Sequence, residues 1–403
     1  MKLELVATAT FGLEAVVRRE IEALGYKIIK TEDGRVTYLG DERAIARSNL
    51  WLRSADRVYV RMGEFSAGNF EELFQQTKAL PWEDIIPADG KFPVVGTSVK
   101  SALHSVPACQ SIVNKAVAAR LGEFYCMERL PETGAVYRIR FAANKDRFLM
   151  MLDTSGDGLH KRGYRVQDVA APMKETLAAA LVQLSFYNRD RILVDTCCGS
   201  GTILLEAAMI ARNIAPGLSR NFASEEWDTV PKDIWKDEKK KAYEAADFDS
   251  ELSITGMDID RRAVKAAKEN AEEAGLADDM DIVCMDMTKW EPGAGIPKGV
   301  SADEHGVVIS NLPYGVRIGD SKANQKIYEH FGRLMKDYPN WSFFLITSDK
   351  ALEKEIEKIT GRKADRRRKL YNGMIETQFY QYHGARPAKK DGGAVGSLSM
   401  KES

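Results

Sequence analysis

The segment Ile192-Leu-Val-Asp-Thr-Cys-Cys-Gly-Ser-Gly-Thr-Ile-Leu-Leu-Glu206 joins an apolar run to a helical pattern through a turn that holds two glycines. Gly199 and Gly201 let a backbone approach a ligand closely at the carboxyl end of a strand, where open α/β sheets bind. Asp195 stands four residues before the first of them. A carboxylate there repels a pyrophosphate and suits a ligand carrying an ammonium or sulfonium charge. The dinucleotide fingerprint G-x-G-x-x-G also fails, because Leu204 occupies the place of its third glycine, which excludes a nicotinamide dehydrogenase. Two more acids close later apolar runs, Asp258 in Gly256-Met-Asp-Ile-Asp260 and Asp286 in Cys284-Met-Asp-Met287. One strand-end Asp is as readily a helix cap as a ligand. Three in register describe one polar site.

These ends need a sheet to bring them together. Apolar runs predict strands at 192–196, 254–258, 281–285, 306–311 and 342–347, separated by helical periodicity, the signature of a doubly wound parallel sheet. A closing hairpin is predicted from 366–370 and 374–383, joined by Tyr371-Asn372-Gly373, so the last strand runs antiparallel. An amphipathic helix over 173–187 leads into the sheet. Before it, residues 1–45 read as a small α+β unit, with a strand at 3–7, a helix at 12–24 and a strand pair around Asp33-Gly34. Residues 46–155 repeat such a mixture, with helices at 69–79 and 111–121 and strands at 92–98, 137–142 and 147–153. The expected organisation is therefore two N-terminal units (1–45 and 46–155), a linker over 156–175, a sheet domain over 176–384, and a disordered Gly/Ala/Lys/Ser-rich tail at 385–403.

The glycine loop resembles motif I, D-x-x-x-G-S-G, of the class I S-adenosylmethionine-dependent methyltransferases. The resemblance implies that S-adenosylmethionine is the cofactor, held by Asp195, Cys197, Gly199 and Gly201, with Asp258 on its ribose and Asp286 at its adenine. The fourth strand delivers Ser310-Asn311-Leu312-Pro313-Tyr314-Gly315, similar to the [DNS]-[LIP]-P-[YF] motif of methyltransferases that act on ring-attached amino nitrogens. Such a nitrogen has its lone pair delocalised into the ring, so it attacks a methyl sulfonium poorly until its hydrogens are held. The Asn311 side-chain carbonyl and the Leu312 backbone carbonyl can accept them. Pro313, with fixed φ and no N–H, helps hold that carbonyl outward, and Tyr314 offers a flat face to a base. No strong general base is needed, because the proton can leave after transfer.

Nearly the whole chain, residues 1–384, resembles a narrower family, the bacterial THUMP-domain 23S rRNA guanine-N2 methyltransferases. The matching stretches are Val99 to Leu121 with Ser105-Val-Pro-Ala-Cys-Gln-Ser-Ile-Val113; Gly158-Leu-His-Lys-Arg-Gly-Tyr-Arg165; Ala171-Pro-Met-Lys-Glu-Thr-Leu177; and an insertion after motif I with Ile214-Ala-Pro-Gly-Leu-Ser-Arg220, Trp227 and Trp235. The resemblance implies ferredoxin-like and THUMP units before the methyltransferase sheet. It implies RNA as the partner, 23S rRNA or a large-subunit precursor, with the target base flipped out of its stack. Lys100, Lys161, Arg162 and Arg165 are the expected RNA contacts, and His160 reads as structural or RNA-contacting. Some members carry a second methyltransferase domain; one activity is expected of this chain. The alternatives are tRNA guanosine, adenine N6, or a non-catalytic RNA-binding assembly factor, against which the complete amine-holding motif argues.

Composition agrees with an ordinary multidomain globular chain: 403 residues, 44% hydrophobic, 29% charged, formal net charge -1. Charge is +3 over residues 1–165 and -4 over the remainder, so positive charge is clustered rather than general, notably in Arg362 to Lys369. No apolar run is long enough to span a bilayer and the start carries no cleavable signal pattern, so a cytoplasmic protein without a membrane partner is expected. Cys109, Cys126, Cys197, Cys198 and Cys284 form no C-x-x-C pair, and reduced thiols without a metal are expected.

Overall fold

The computed structural model describes residues 2–166, 173–297, 299–313 and 320–386, with backbone alone over 320–323. In its N-terminal part, strand β1 (Leu3–Ala9), helix α1 (Glu14–Ala23), strands β2 (Ile28–Glu32) and β3 (Arg35–Gly40), and helix α2 (Glu42–Trp51) precede strand β4 (Ala55–Ser66). Helix α3 (Phe70–Lys78), strand β5 (Val94–Val99), helix α4 (Val106–Tyr125) and strands β6 (Ile139–Asn144) and β7 (Arg147–Asp153) follow. All seven strands form one sheet in the order β2-β3-β1-β4-β7-β6-β5. Strand β4 pairs antiparallel with β1 on one edge and β7 on the other, so strands from both expected N-terminal units share this sheet. Helix α2 and strand β4 lie where the sequence predicts no element. Asp41 starts α2 as an N-cap, its carboxylate accepting the Ala44 amide at 2.8 Å.

The second part contains helix α5 (Glu175–Leu184), strand β8 (Leu193–Asp195), helices α6 (Thr202–Ala211) and α7 (Lys232–Glu244), strand β9 (Ile254–Asp258), helix α8 (Arg261–Glu273) and strand β10 (Met280–Cys284). It continues with strand β11 (Val307–Asn311), helix α9 (Asp320–Asp337), strand β12 (Ser342–Thr347), helix α10 (Ala351–Thr360) and strands β13 (Arg366–Asn372) and β14 (Ile375–Tyr382). The strand order is β10-β9-β8-β11-β12-β14-β13. The first five are parallel, and β14 runs antiparallel to both neighbours, as expected. All six residues of β12 are buried, as befits a strand covered on both faces.

The hairpin loop is shorter than expected. Tyr371 and Asn372 pair with Glu376 and Ile375 as the last rungs, so the loop is Gly373-Met374 rather than Tyr371-Asn372-Gly373. Gly373 takes φ +61, the conformation a two-residue turn asks of its first position.

The insertion between α6 and β9 packs away from its own sheet. Phe222, Trp227, Val230 and Trp235 belong to the buried core of the N-terminal sheet, with Trp227 stacked on Tyr137 at 4.8 Å between ring centroids. At about 25 cal/mol per Å² of apolar surface, each buried indole contributes several kcal/mol. Glu238 of α7 accepts from Arg43 and Arg47 of α2 at 2.6 and 2.7 Å, and the Gly217 amide donates to the Leu50 carbonyl at 3.0 Å. None of the described helices is long and apolar enough to cross a membrane.

Candidate active site

The sheet reverses its winding between β8 and β11, and the crevice outside their carboxyl ends is where a doubly wound sheet places its ligand. A cavity of about 400 Å³ lies there. Asp195, Cys197, Gly199, Asp258, Asp286, Asn311, Leu312 and Pro313 all line it. Gly201 does not line it but shapes its wall: it takes φ +82, and a Cβ would stand 3.1 Å from Ala267 Cβ. Gly199, at φ +55, would meet nothing within 4 Å, so open space lies on its side-chain face.

Three carboxylates organise the cavity differently. Asp258, ending β9, accepts the Gly199 amide through Oδ2 and the Asp260 amide through Oδ1, both at 2.9 Å, tying the first loop to the second. Asp286 turns the chain after β10, its Oδ1 accepting the Thr288 amide and hydroxyl at 3.0 and 2.8 Å, which hold its carboxyl below the usual range. Asp195 is buried. Its Oδ1 accepts the Cys197 amide at 3.1 Å, while Oδ2 has no hydrogen-bond partner among the described residues. Burial, with the charge of Asp258 adding to it, pushes this carboxyl up to about 7.

At the end of β11 the Leu312 amide donates to the Ile346 carbonyl at 3.0 Å, which fixes the backbone that follows. The Ser310 hydroxyl accepts the Thr196 amide at 2.8 Å and so joins the two strand ends across the switch point. Asn311 Oδ1 is buried and unpartnered among the described residues. An amide carbonyl in that state costs about 1–3 kcal/mol unless a donor arrives. Tyr314 lies outside the described residues, as do Ala171 and Pro172.

The expected RNA contacts divide. Lys161 and Lys100 are exposed, Lys161 beside Asp157 at 3.2 Å. Arg162 is corrected: it is buried, pairs with Glu206 at 3.2 Å, and donates to the Leu159 and Arg53 carbonyls at 2.6 and 2.5 Å. No part of its fork is left for a phosphate. Arg165 is likewise spent inside, on Glu175 at 2.8 Å, Ser200 Oγ at 3.2 Å and Thr202 Oγ1 at 3.1 Å, bracing the glycine loop from behind. Burial and the neighbouring cations push His160 down to about 4, so its imidazole is neutral at pH 7. It does not line the cavity.

Two participants escaped the sequence reading. Glu206 is the one charged residue of α6, and a lone acid in an apolar helix signals a buried cation partner. Ile259, 73% exposed beside Asp258, gives the cavity an apolar wall together with Met285 and Ile327. Among the described residues no cluster of His, Cys, Asp or Glu could hold a metal ion.

A doubly wound sheet with a reversed strand, its glycine loop and strand-end acids around one cavity, defines a class I methyltransferase. Residues 162–381 match the family described as RMKL-like, methyltransferase domain; residues 4–59 match the RlmL ferredoxin-like domain and 67–153 the THUMP domain. The chain belongs to this RMKL-like methyltransferase family. It is 46% identical to the "putative RNA methyltransferase YpsC" of Bacillus subtilis, over 96% of this chain and 98% of that one. It is 30% identical to the ribosomal RNA large subunit methyltransferase K/L of Syntrophotalea carbinolica over 94% of this chain, and spans 53% of that protein's length. Among solved structures, a predicted N6-adenine-specific DNA methylase from Listeria monocytogenes superposes with TM-score 0.87 at 47% identity, covering 96% of this chain and 97% of that one. SMU.472, "a putative methyltransferase complexed with SAH", superposes with TM-score 0.88 at 42% identity, covering 96% of this chain and 99% of that one.

Proposed function

We propose that the protein transfers a methyl group from S-adenosylmethionine to the exocyclic N2 of a guanosine in 23S rRNA, in the cytoplasm. The observation that carries this reading is Asn311 Oδ1, buried and unpartnered among the described residues, at the same cavity as the three strand-end acids. The cavity suits the cofactor by its own chemistry. Asp195 Oδ2, without a partner among the described residues, faces positive charge best; Asp258 keeps lone pairs for ribose hydroxyls after accepting two amides; Ile259 offers an apolar surface to a purine. The cofactor supplies an activated methyl on a sulfonium. Asn311 Oδ1 and the Leu312 carbonyl accept the two hydrogens of the incoming amino group, turning its lone pair toward the cavity. As the nitrogen–methyl bond would form, the methyl–sulfur bond would break and release S-adenosylhomocysteine, and the nitrogen's surplus proton would pass to water.

The choice of RNA is supported by the names of the Bacillus and Syntrophotalea relatives, and by the match of residues 67–153 to the THUMP domain. Adenine N6 is the second reading, since the Listeria neighbour is named for that base and the amine-holding residues do not distinguish it. Incubation with labelled S-adenosylmethionine and RNA pools from cells lacking the protein, followed by nucleoside mass spectrometry, tests both. N2-methylguanosine in the 23S pool is the expected product. Label in N6-methyladenosine, or in tRNA alone, replaces the substrate.

A further inference from the structure

The β13–β14 hairpin brings its tip to the rim of the catalytic cavity, where Ile375 lines the same space as Asn311 and Pro313. The residue before it, Met374, is 98% exposed at the apex of the two-residue turn. Turns favour polar residues at such positions, and a thioether held fully in water contributes nothing to this fold. Just behind the apex, on the sheet's edge strand, Tyr371 meets the half-exposed ring of Phe11 edge-on, with centroids 6.4 Å apart. Phe11 comes from the loop after β1. The Arg368 guanidinium donates to the Gly12 carbonyl at 3.0 Å, latching that loop to the hairpin. Lys369 Nζ stands 5.5 Å from the Tyr371 ring centroid, paired with Glu376, and Arg366 lies exposed farther along the same strand. The edge therefore presents flat rings and positive charge beside a protruding apolar side chain.

A base that reaches Asn311 must leave its stack and opens a gap between its neighbours. Apolar side chains, methionine among them, fill such gaps as wedges, and aromatic rings with adjacent cations hold the flanking bases and phosphates. We propose that Met374 enters the RNA stack in the place vacated by the target nucleotide, while Tyr371 and Phe11 form the platform for an adjoining base. This rests on the reading of the protein as an RNA methyltransferase. Met374 is a positioning residue: it acts on the strand, not on the reacting nitrogen.

The test uses the full-length protein, ribosomal RNA from cells lacking it, and labelled S-adenosylmethionine, comparing wild type with Met374→Ala, Met374→Leu and Tyr371→Ala. The expected result for Met374→Ala is a fall in kcat of at least tenfold, unchanged binding of S-adenosylhomocysteine in calorimetry, and recovery of most of the rate in Met374→Leu. Tyr371→Ala is expected to raise KM for RNA. Transfer by Met374→Ala at the wild-type rate, with the wild type active on RNA, overturns the wedge and leaves the proposed function standing. No transfer by the wild type to any RNA pool overturns both.

Discussion

The Gly199 amide donates to Asp258 Oδ2 at 2.9 Å, so the carboxylate proposed to hold the cofactor's ribose also holds the glycine loop that borders the cofactor. In that proposal Asp258 is a ligand and a brace at once. A backbone amide bonded to a charged acceptor is worth about 1.5–3 kcal/mol. Asp258→Ala is therefore expected to weaken S-adenosylhomocysteine binding by tenfold or more in calorimetry. Asp258→Asn, which keeps one carbonyl acceptor, should fall between. Unchanged affinity in Asp258→Ala would remove both roles.

Asn311 predicts the opposite separation. Asn311→Ala deletes a carbonyl that has no structural partner among the described residues, so cofactor affinity should stay within about twofold and the fold should hold. Single-turnover methyl transfer should drop by roughly 10²–10³, the scale of losing one preorganised hydrogen-bonding group. A parallel loss of cofactor binding would show that the residue shapes the cavity instead.

Asp195 makes binding depend on pH. Its carboxyl is raised to about 7, so below that pH the empty cavity holds a neutral acid, and above it a carboxylate. A cationic ligand prefers the carboxylate, so affinity for S-adenosylhomocysteine, which carries an ammonium, should increase as pH rises through 7, with proton release near neutrality. The unliganded fold shows the reverse sign: an acid whose pKa is raised on folding loses stability as pH climbs from the ordinary carboxylate range toward 7. Calorimetry in buffers of different ionisation enthalpy checks the proton release, and Asp195→Asn should abolish it.

Arg162 is expected to fail as an RNA contact and to matter for folding. Arg162→Ala leaves Glu206 buried without its cation, a change that costs about 3–5 kcal/mol. Thermal unfolding should shift down clearly, whereas Arg162→Met with Glu206→Leu should lose less than either single change. A variant that melts like wild type but binds RNA weakly would restore the surface role.

Lys161 and Lys100, both exposed, remain proposed RNA contacts. Their replacement by alanine should leave melting unchanged and lower the salt dependence of RNA binding by about one counterion each.

What the sequence revealed tracks how local each cause is. The parallel strands were legible because β12 and β9 are short apolar runs bounded by polar residues, and the candidate site was legible because Asp195 and Asp258 end β8 and β9 and Asp286 follows β10. Strand β4 was not. Its residues Arg57, Arg61 and Glu64 are only half-buried within pairings to two neighbours, so no alternation marks it. Arg162 misled because its partner sits 44 residues away, and a basic cluster reads alike whether it faces phosphate or a buried carboxylate. The hairpin loop was expected at Tyr371 to Gly373 because Asn-Gly is a strong local signal. Register was set instead by Leu370 and Phe379, which must both face the sheet's core.

The insertion carrying Trp227 and Trp235 has a consequence for how this architecture can change. Because that stretch belongs in sequence to the methyltransferase domain and in space to the core of the N-terminal sheet, the halves are not interchangeable cassettes. A new RNA-gripping unit could be grafted only together with residues from the far side of the junction. The span between the N-terminal sheet and Asn311 is then inherited as a fixed ruler, so the target would be selected by its distance along a folded RNA as much as by the letters around it.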